Sequence, residues 1–441
     1  MKDNYTFEDP SWVTEDGKIN EVELASFFLK GYEMSCVNGI LFDKDGMITD
    51  LHYIEQTIFE MISPYVTTNI PRRIGQIMDT IRLLSSKTYL PTPDDVINVA
   101  NGTLTIDGRF SPDKEICANR IPVAYNPDAP KPQKWLGFLN DLLYPEDIAT
   151  LQEFMGYCLI PTNRAQKMLI IIGNGGEGKS RVGLIMKALL GDNMNTGDIQ
   201  KLENNRFSLA NLEYKLLMLD DDMTMEALSK TNVIKSVVTL EGKTELERKG
   251  KQSVQGYIYS RIMLIGNGSL SALHDRSFGF FRRQILLEVK PREADRIDDP
   301  FLIDKLKDEL EGIFLWCFEG LKNLIANDYR FSVSKRADDN LRQAMEDGNN
   351  VIQFMQSEGY IRIEPKSDQN SEASGKNICM AYRHWCDDNS HKPMTDRSVI
   401  NYLKQHQDEY KITYTNNISS EGGKTVRGFK NINVLIRPDR F

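Results

Sequence analysis

Continuous apolar runs alternate with amphipathic segments through the middle of the chain. Four of these runs predict strands buried on both faces of a sheet, at residues 168–172, 216–219, 262–265 and 285–289. Helical spacing of the apolar residues between them predicts helices at 180–190 and 224–240. Strands that alternate with helices indicate an α/β fold with a largely parallel sheet.

Weaker patterns lie on both sides of this block. Before it, helices are predicted at 21–32, 51–65, 135–143 and 148–159, with two short strands within 97–110. After it, helices are predicted at 291–326, 332–347, 378–386 and 396–406. Two last strands, 412–414 and 434–436, flank the pair Gly422-Gly423. Helices followed by a β-hairpin suggest a C-terminal winged helix-turn-helix domain.

Length and composition exclude several classes of protein. The 441 residues suggest about three domains, and 40% hydrophobic with 27% charged residues is ordinary for a globular protein. No stretch approaches the ~20 apolar residues of a membrane span, and the first residues lack the apolar core of a secretion signal. The six cysteines show no zinc-binding spacing. We therefore expect a cytoplasmic protein with reduced thiols and no membrane partner.

The net charge of the chain limits the classes of partner that we expect. Asp and Glu outnumber Lys and Arg by 63 to 54, which gives a formal net charge of −9. This balance argues against a protein coated with nucleic acid. It permits a narrow basic strip inside a ring or cleft, because the local field matters more than the total charge.

A glycine-rich loop directly follows the first buried run. Residues 173–180 fit the pattern GxxxxGK[ST], in which backbone N–H groups surround phosphate oxygens. Lys179 can reach the β- and γ-phosphates, and the hydroxyl of Ser180 can bind Mg²⁺. The helix that begins at Ser180 offers its positive end to the same phosphates. The predicted ATP-binding residues are Gly173, Asn174, Gly175, Gly176, Glu177, Gly178, Lys179 and Ser180.

Carboxylates follow the second buried run, where ATP hydrolysis on such a loop needs them. Asp220, Asp221 and Asp222 come directly after residues 216–219. The carboxyl ends of neighbouring parallel strands meet at one edge of a sheet, beside the loop. One carboxylate can hold Mg²⁺ and a neighbour can activate the attacking water. Three consecutive aspartates leave open which one does so.

Polar residues also adjoin the third and fourth runs. Asn267 follows 262–265, where an amide can orient the attacking water. Arg282 and Arg283 precede the fourth run, and an arginine there can reach the nucleotide of a neighbouring subunit as an arginine finger. A turn asparagine and an edge salt bridge are the alternative interpretations.

Taken in order, the loop, the aspartates, Asn267 and the two arginines resemble the motifs of superfamily 3 helicases. The likeness covers residues 101–289 and points to the branch found in phages, phage satellites, mobile islands and poxviruses, often fused to primases. It implies an AAA+-type ATPase core, a hexameric ring, ATP and Mg²⁺ as cofactors, and 3′-to-5′ movement on DNA. It also favours Asp221 and Asp222 over Asp220, and Arg283 over Arg282 as the finger. Of the two favoured aspartates, we expect Asp221 to bind the metal together with Ser180.

The resemblance extends to a hairpin that grips DNA in the central channel of these helicases. Residues 248–251 read Arg-Lys-Gly-Lys, a cationic turn suited to backbone phosphates. Arg248, Lys249 and Lys251 are therefore the predicted DNA contacts. A solvated basic loop is the alternative interpretation.

Besides the three consecutive aspartates, the chain departs from the family pattern at two places. Leu240-Glu241 stands where Gly-Asp is usual, and Leu270 stands where a proline is common. Asp275, by contrast, falls on the family's Asp…Gly-Phe-x-Arg-Arg motif. Neither departure removes a group that the chemistry requires.

The predicted C-terminal wing is basic. Residues 424–437 contain Lys424, Arg427, Lys430 and Arg437 and no acidic residue. Together with a predicted recognition helix at 396–406, this layout suits duplex DNA, with the helix in a groove and the wing on phosphates. A small domain that packs against the ring or a partner protein is the alternative.

These inferences predict a protein of five regions. They are a mainly helical N-terminal accessory domain (1–120), a helical collar for oligomerisation (121–165), an AAA+-like P-loop ATPase core (166–290), a helical extension and linker (291–347) and a winged-helix domain (348–441).

We expect a homohexameric ATP-dependent DNA helicase of a phage or mobile element, which unwinds DNA at replication in a bacterial cytoplasm. Its expected partners are single-stranded and duplex DNA, and a primase or replication initiator is a candidate partner. Three alternatives stay open: an ATP-dependent origin-binding or remodelling protein without processive unwinding, a P-loop kinase, and a non-enzymatic DNA-binding regulator.

Overall fold

Two compact units make up the chain. The computed structural model describes residues 9–224, 231–240, 242–267, 278–293, 295, 297–348, 350–364, 372–391, 393–419 and 425–435. The first unit runs to Asn340 and the second begins at Leu341. In these ranges, no helix has both the length and the apolar character that crossing a membrane requires.

Three helices and two small antiparallel sheets form the N-terminal part of the first unit. The helices are α1 (Glu21–Gly31), α2 (His52–Ile62) and α3 (Ile70–Leu84), and the strands are β1 (Ser35–Val37), β2 (Ile40–Asp43), β3 (Gly46–Met47), β4 (Val96–Val99), β5 (Gly102–Thr105) and β6 (Phe110–Ser111). Helices contribute more residues to this region than strands do, and β4 and β5 overlap the two short strands predicted within 97–110. The strands β1, β2 and β3 were not predicted, because they are only two to four residues long and too short to show an alternating pattern.

A five-stranded parallel sheet is the centre of the first unit, which confirms the predicted α/β fold. Its strands are β7 (Met168–Gly173), β8 (Met194–Thr196), β9 (Leu217–Thr224), β12 (Arg261–Asn267) and β13 (Gln284–Glu288), in the spatial order β13-β7-β12-β9-β8. The hairpin strands β10 (Lys243–Leu246) and β11 (Val254–Tyr257) lie between β9 and β12 in the chain.

Helices accompany this sheet before, between and after its strands. They are α4 (Gln133–Leu142), α5 (Ile148–Tyr157), α6 (Ser180–Leu190), α7 (Ile199–Asn204), α8 (Asn232–Thr239), α9 (Phe278–Phe281), α10 (Leu302–Lys307), α11 (Leu310–Ala326) and α12 (Lys335–Gly348), the last of which contains the boundary between the units. The predicted helix at 224–240 is shorter than expected, because Thr224 ends β9 and the helix begins at Asn232.

Apolar side chains explain why the sheet is central. The four predicted runs are buried almost completely, which means that other parts of the chain pack on both faces of these strands. The fifth strand, β8, escaped prediction because it has three residues and two of them, Asn195 and Thr196, are polar. The sheet follows from hydrophobic pattern except at this edge.

The second unit contains four helices and five strands among its described residues. They are α13 (Asn350–Gln356), β14 (Ile361–Ile363), β15 (Glu372–Ser374), α14 (Gly375–Asp388), α15 (Asp396–Gln405), α16 (Gln407–Tyr410), β16 (Thr413–Ser419), β17 (Thr425–Lys430) and β18 (Ile432–Val434). One sheet has the order β15-β17-β16, and β14 pairs with β18.

The C-terminal hairpin differs from its prediction. The strand predicted at 412–414 extends to Ser419 and pairs with β17, whereas Ile432–Val434 pairs with β14. The strand β17 was not predicted, because its polar residues Thr425, Arg427 and Lys430 interrupt the hydrophobic pattern. Gly422-Gly423 lies outside the described residues.

Candidate functional site

The glycine-rich loop connects the end of β7 to the start of α6. Gly175, Gly176 and Gly178 have φ angles of 108°, 81° and 107°. Side chains with a Cβ rarely adopt this region, so the path of the loop depends on glycine at these three positions. Lys179 is buried at its end, and Ser180 is the exposed first residue of α6.

The carboxylate of Glu177 occupies the donors of this loop. Its Oε1 accepts hydrogen bonds from the backbone N–H groups of Asn174 at 2.6 Å and Gly175 at 2.8 Å. Its Oε2 accepts from Nζ of Lys179 at 2.6 Å, and both side chains are buried. Burial alone would raise the pKa of the Glu177 carboxyl, but Lys179 and the loop amides outweigh it and hold that pKa below its usual value. A carboxylate therefore stands where the motif predicts a phosphate oxygen, and the donor set fits an anion.

An irregularity in β9 brings two aspartates to one cavity. Between the positions Asp220 and Met223, which pair with β12, β9 has two residues where β12 has one. These two are Asp221 and Asp222. A bulge of this kind redirects side chains, whereas regular alternation sends neighbours to opposite faces. Both side chains are exposed and line the same cavity as Lys179.

The side chain of Asp220 binds backbone N–H groups outside this cavity. It is buried, its Oδ2 accepts from the backbone N–H of Ile199 at 2.8 Å, and its Oδ1 accepts from that of Asp222 at 3.3 Å. Burial raises the pKa of the Asp220 carboxyl above its usual value, although the two N–H groups oppose the rise. Asp220 does not line the cavity; it binds the first residue of α7.

One cavity of about 590 Å³ collects groups from several elements. Its lining comes from the loop and α6, from the ends of β9 and β12, and from the segment after β13. These residues are Gly175, Gly176, Gly178, Lys179, Ser180, Arg181, Asp221, Asp222, Ile265, Gly266, Asn267, Arg292, Asp298, Asp299, Pro300 and Leu302.

The parallel register explains this meeting of residues. Asn267 pairs with Gly173, so β12 ends beside the strand that leads into the loop. A lysine, a hydroxyl, two carboxylates and an amide therefore lie at the carboxyl edge of one sheet, where open α/β sheets bind ligands. Ser180 and Asp221 are both available there for a metal ion, since hydroxyl and carboxylate oxygens are ligands that Mg²⁺ prefers.

The segment after β13 adds charged groups that the motifs did not indicate. Nη1 of Arg292 is 3.3 Å from the position that a Cβ on Gly176 would occupy. Arg292 also forms an ion pair with Asp298 at 2.9 Å. Together with Asp299 and Arg181, these residues line the cavity. Only their position after the last buried run, at the carboxyl edge of the sheet, could have drawn attention to Arg292 and the aspartates.

Arg282 and Arg283 lie at the opposite edge of the sheet. The backbone N–H of Met168 donates to the carbonyl of Arg283 at 2.7 Å, where β7 and β13 begin. The five residues of β13 separate this amino edge from the carboxyl edge by about 16 Å. Arg282 is exposed, and the half-buried Arg283 donates to the carbonyl of Gly279. Neither arginine lines the cavity, and Asp275 lies outside the described residues.

The predicted cationic hairpin is formed by β10 and β11. Lys249 and Lys251 are exposed in the turn between the two strands. Arg248 instead binds the carboxylate of Glu213, which is buried. The structure therefore leaves two of the three predicted DNA contacts open to solvent and engages the third within the chain. Glu241 and Leu270 lie outside the described residues.

The basic residues of the second unit are only partly described. Arg427 and Lys430 are exposed on β17. Lys424 lies outside the described residues. Of the basic residues predicted to contact duplex DNA, the structure therefore describes only those on β17.

Comparisons with known proteins match parts of the chain by sequence and nearly all of it by fold. Residues 171–283 match a family of unknown function, DUF5906, and residues 56–143 match a family described as D5 N terminal like. Two apo structures of the NrS-1 C-terminal region cover all of their own chain and 94% and 95% of this one, with TM-scores of 0.53 and 0.54 at 13% and 11% identity. A third has a TM-score of 0.53 at 12% identity. At these identities the similarity is one of fold.

Proposed function

We propose that this protein is an ATP-dependent DNA helicase of a phage or mobile element, which unwinds DNA as a ring at replication in the cytoplasm of its bacterial host. One observation carries the proposal. The anion-binding loop, two redirected carboxylates and Asn267 line a single cavity at the carboxyl edge of a parallel sheet.

Each residue of the cavity has a role in this proposal. Lys179 and the loop amides hold the phosphates of ATP in place of the Glu177 carboxylate. Ser180 and Asp221 hold Mg²⁺, which supplies positive charge to the phosphates when bound. Asp222 accepts a proton from the attacking water, and the amide of Asn267 orients that water.

A ring gives the remaining cations their roles. Because Arg283 is at the amino edge of its own sheet, it serves the nucleotide of a neighbouring subunit as an arginine finger, with Arg282 beside it. Lys249 and Lys251 bind backbone phosphates of DNA in the central channel. The homohexamer is the assembly in which both roles are met.

The comparisons support this assignment to a phage-type replicative group. The D5 N terminal like match precedes the ATPase core, and the NrS-1 region shares the fold over nearly the whole chain. In the second unit, α14 and α15 follow β15 and precede the hairpin β16–β17, and this part of the order supports a winged helix, with Arg427 and Lys430 on duplex DNA.

A second candidate function uses the same ATPase. Exposed Arg427 and Lys430 on β17 favour an origin-binding or remodelling protein that melts DNA without processive unwinding. A forked-duplex unwinding assay distinguishes the two, because the remodeller separates only short origin duplexes.

The decisive test compares the wild type with Lys179→Ala. We expect the wild type to hydrolyse ATP, to do so faster with single-stranded DNA, and to have the mass of a hexamer. Lys179→Ala should be folded and inactive. Undiminished turnover in the variant would remove the ATPase assignment, and ATPase activity that never responds to DNA would favour the kinase alternative.

A further inference from the structure

We propose that Arg292 is a second phosphate-binding residue of the cavity, held beside the loop by Asp298 until a polyphosphate replaces that aspartate. The inference rests on the proposed function only in that the cavity binds a nucleotide. It adds a cation of the same subunit that the motifs do not contain.

Proximity to the loop is the first reason. Nη1 of Arg292 would lie 3.3 Å from a Cβ at position 176, and its Cδ would lie 3.7 Å away. Residue 176 is glycine, so no side chain of its own stands between the guanidinium and the loop. Arg292 and Lys179 both line the cavity, so a phosphate chain held by the loop has two cations within the same space.

Charge balance is the second reason. Asp221, Asp222, Asp298 and Asp299 all line the cavity, so an incoming polyphosphate meets an acidic wall. The ammonium of Lys179 is already bound to Glu177. A further cation at the loop therefore lowers the cost of bringing in a polyphosphate. A guanidinium suits the task, because its planar donors match phosphate oxygens in pairs.

The pair with Asp298 can be exchanged. The side chains of Arg292 and Asp298 are 39% and 58% exposed, and exposed ion pairs of this kind contribute little to stability. A phosphate offers the guanidinium stronger, charge-assisted hydrogen bonds. This ion pair itself therefore opposes exchange for a phosphate only weakly.

Opposite effects of the two partners provide the test. Arg292→Ala should weaken binding of Mg-ATP about tenfold, weaken ADP less and leave AMP unchanged, because only the outer phosphates lose a partner. Asp298→Asn should strengthen ATP binding about threefold, because a competing charge is removed. Isothermal titration of full-length protein with each nucleotide measures these changes.

Lys290→Ala is the matched control. Lys290 is a cation of the same segment, but it donates to the carbonyl of Asn140 and does not line this cavity. Its loss should leave all three affinities unchanged. Arg292→Lys keeps the charge and should lose part of the affinity, which covers the case in which the alanine variant folds poorly.

Two results would overturn the inference. If Arg292→Ala and Asp298→Asn both weaken ATP binding and lower the melting temperature together, the pair is structural. If Arg292→Ala reduces ATP, ADP and AMP binding alike, the arginine does not contact the outer phosphates. Failure of the proposed function is separate, because then the wild type itself does not bind ATP or Lys179→Ala binds it equally well.

Discussion

The ammonium of Lys179 lies 2.6 Å from the carboxylate of Glu177, and both side chains are almost completely buried. The second oxygen of the same carboxylate takes the N–H groups of Asn174 and Gly175. These donors are the ones proposed to hold phosphate. On the proposed function, the loop therefore contains its own competitor for the phosphates of ATP.

Removing the charge of this competitor should tighten nucleotide binding. Glu177→Gln keeps the size of the side chain and an acceptor oxygen for the loop amides. Because Lys179 then exchanges a neutral partner for phosphate, we expect the Kd for ATP to fall roughly tenfold in titration calorimetry. Glu293→Gln, at an exposed carboxylate, is the control and should have no effect. Weaker binding by a stable Glu177→Gln protein would show that the carboxylate supports the loop instead of competing.

The bulge in β9 separates the roles of the aspartates. Asp221→Asn and Asp222→Asn should each lower kcat for ATP hydrolysis by about a hundredfold or more while ATP still binds. Asp220→Asn should retain most of the activity, because Asp220 binds Ile199 and not the cavity. Steady-state ATPase measurements with all three variants check this. Inactivity confined to Asp220→Asn would contradict the proposed assignment.

Asp220 should also make stability depend on pH. Its native pKa lies above the unfolded value of 3.8, so the native state holds this proton more tightly than the unfolded chain. The contribution of this group to the free energy of unfolding is fully present below pH 3.8, and it is lost as the pH rises through the native pKa. Asp220→Asn can still accept from Ile199 and does not titrate.

The measurement is urea unfolding of the wild type and Asp220→Asn from about pH 4 to pH 7. The free energy of unfolding of the wild type should fall relative to that of the variant as the pH rises. A constant difference would mean that the native pKa of Asp220 is not raised.

Arg283 should act only in trans. Arg283→Ala is expected to bind ATP normally and to hydrolyse it at least a hundredfold more slowly. Mixing it with Lys179→Ala protein should restore part of the activity, because a mixed ring contains interfaces at which both groups are intact. Absence of recovery despite demonstrated subunit exchange would place its role within one subunit.

The hairpin lysines should bind DNA without affecting the ATPase itself. The double variant Lys249→Ala with Lys251→Ala should keep its basal ATPase and lose stimulation and unwinding. The salt dependence of binding to single-stranded DNA should flatten by about 1.4 units of log–log slope, since each lost phosphate contact removes about 0.7.

Arg248→Ala is the matched comparison for the hairpin. Because Arg248 binds the buried Glu213, its loss leaves a buried carboxylate unpaired. We expect lower stability with a nearly unchanged salt slope. A loss of slope equal to that of one lysine would instead make Arg248 a DNA contact.

Local pattern was sufficient for four of the five strands of the central sheet and for the loop. The runs at 168–172 and 262–265 are apolar without interruption, and burial on both faces follows from that composition alone. The helix Ser180–Leu190 coincides with its predicted bounds. The glycines of the loop meet a backbone requirement, a positive φ, that depends on a few adjacent residues.

Contacts between distant parts of the chain decided the rest. Asp221 and Asp222 share a cavity because β9 bulges against β12, and a bulge exists only once two strands are paired. Arg292 lies beside Gly176 although 116 positions separate them in the chain. Arg248 binds Glu213 because the hairpin folds back toward that residue. The strand β17 forms because Phe429 is buried while its polar neighbours remain exposed. Hydrophobic periodicity reports which face of an element is buried, but it contains no information on which partner a charged side chain meets there.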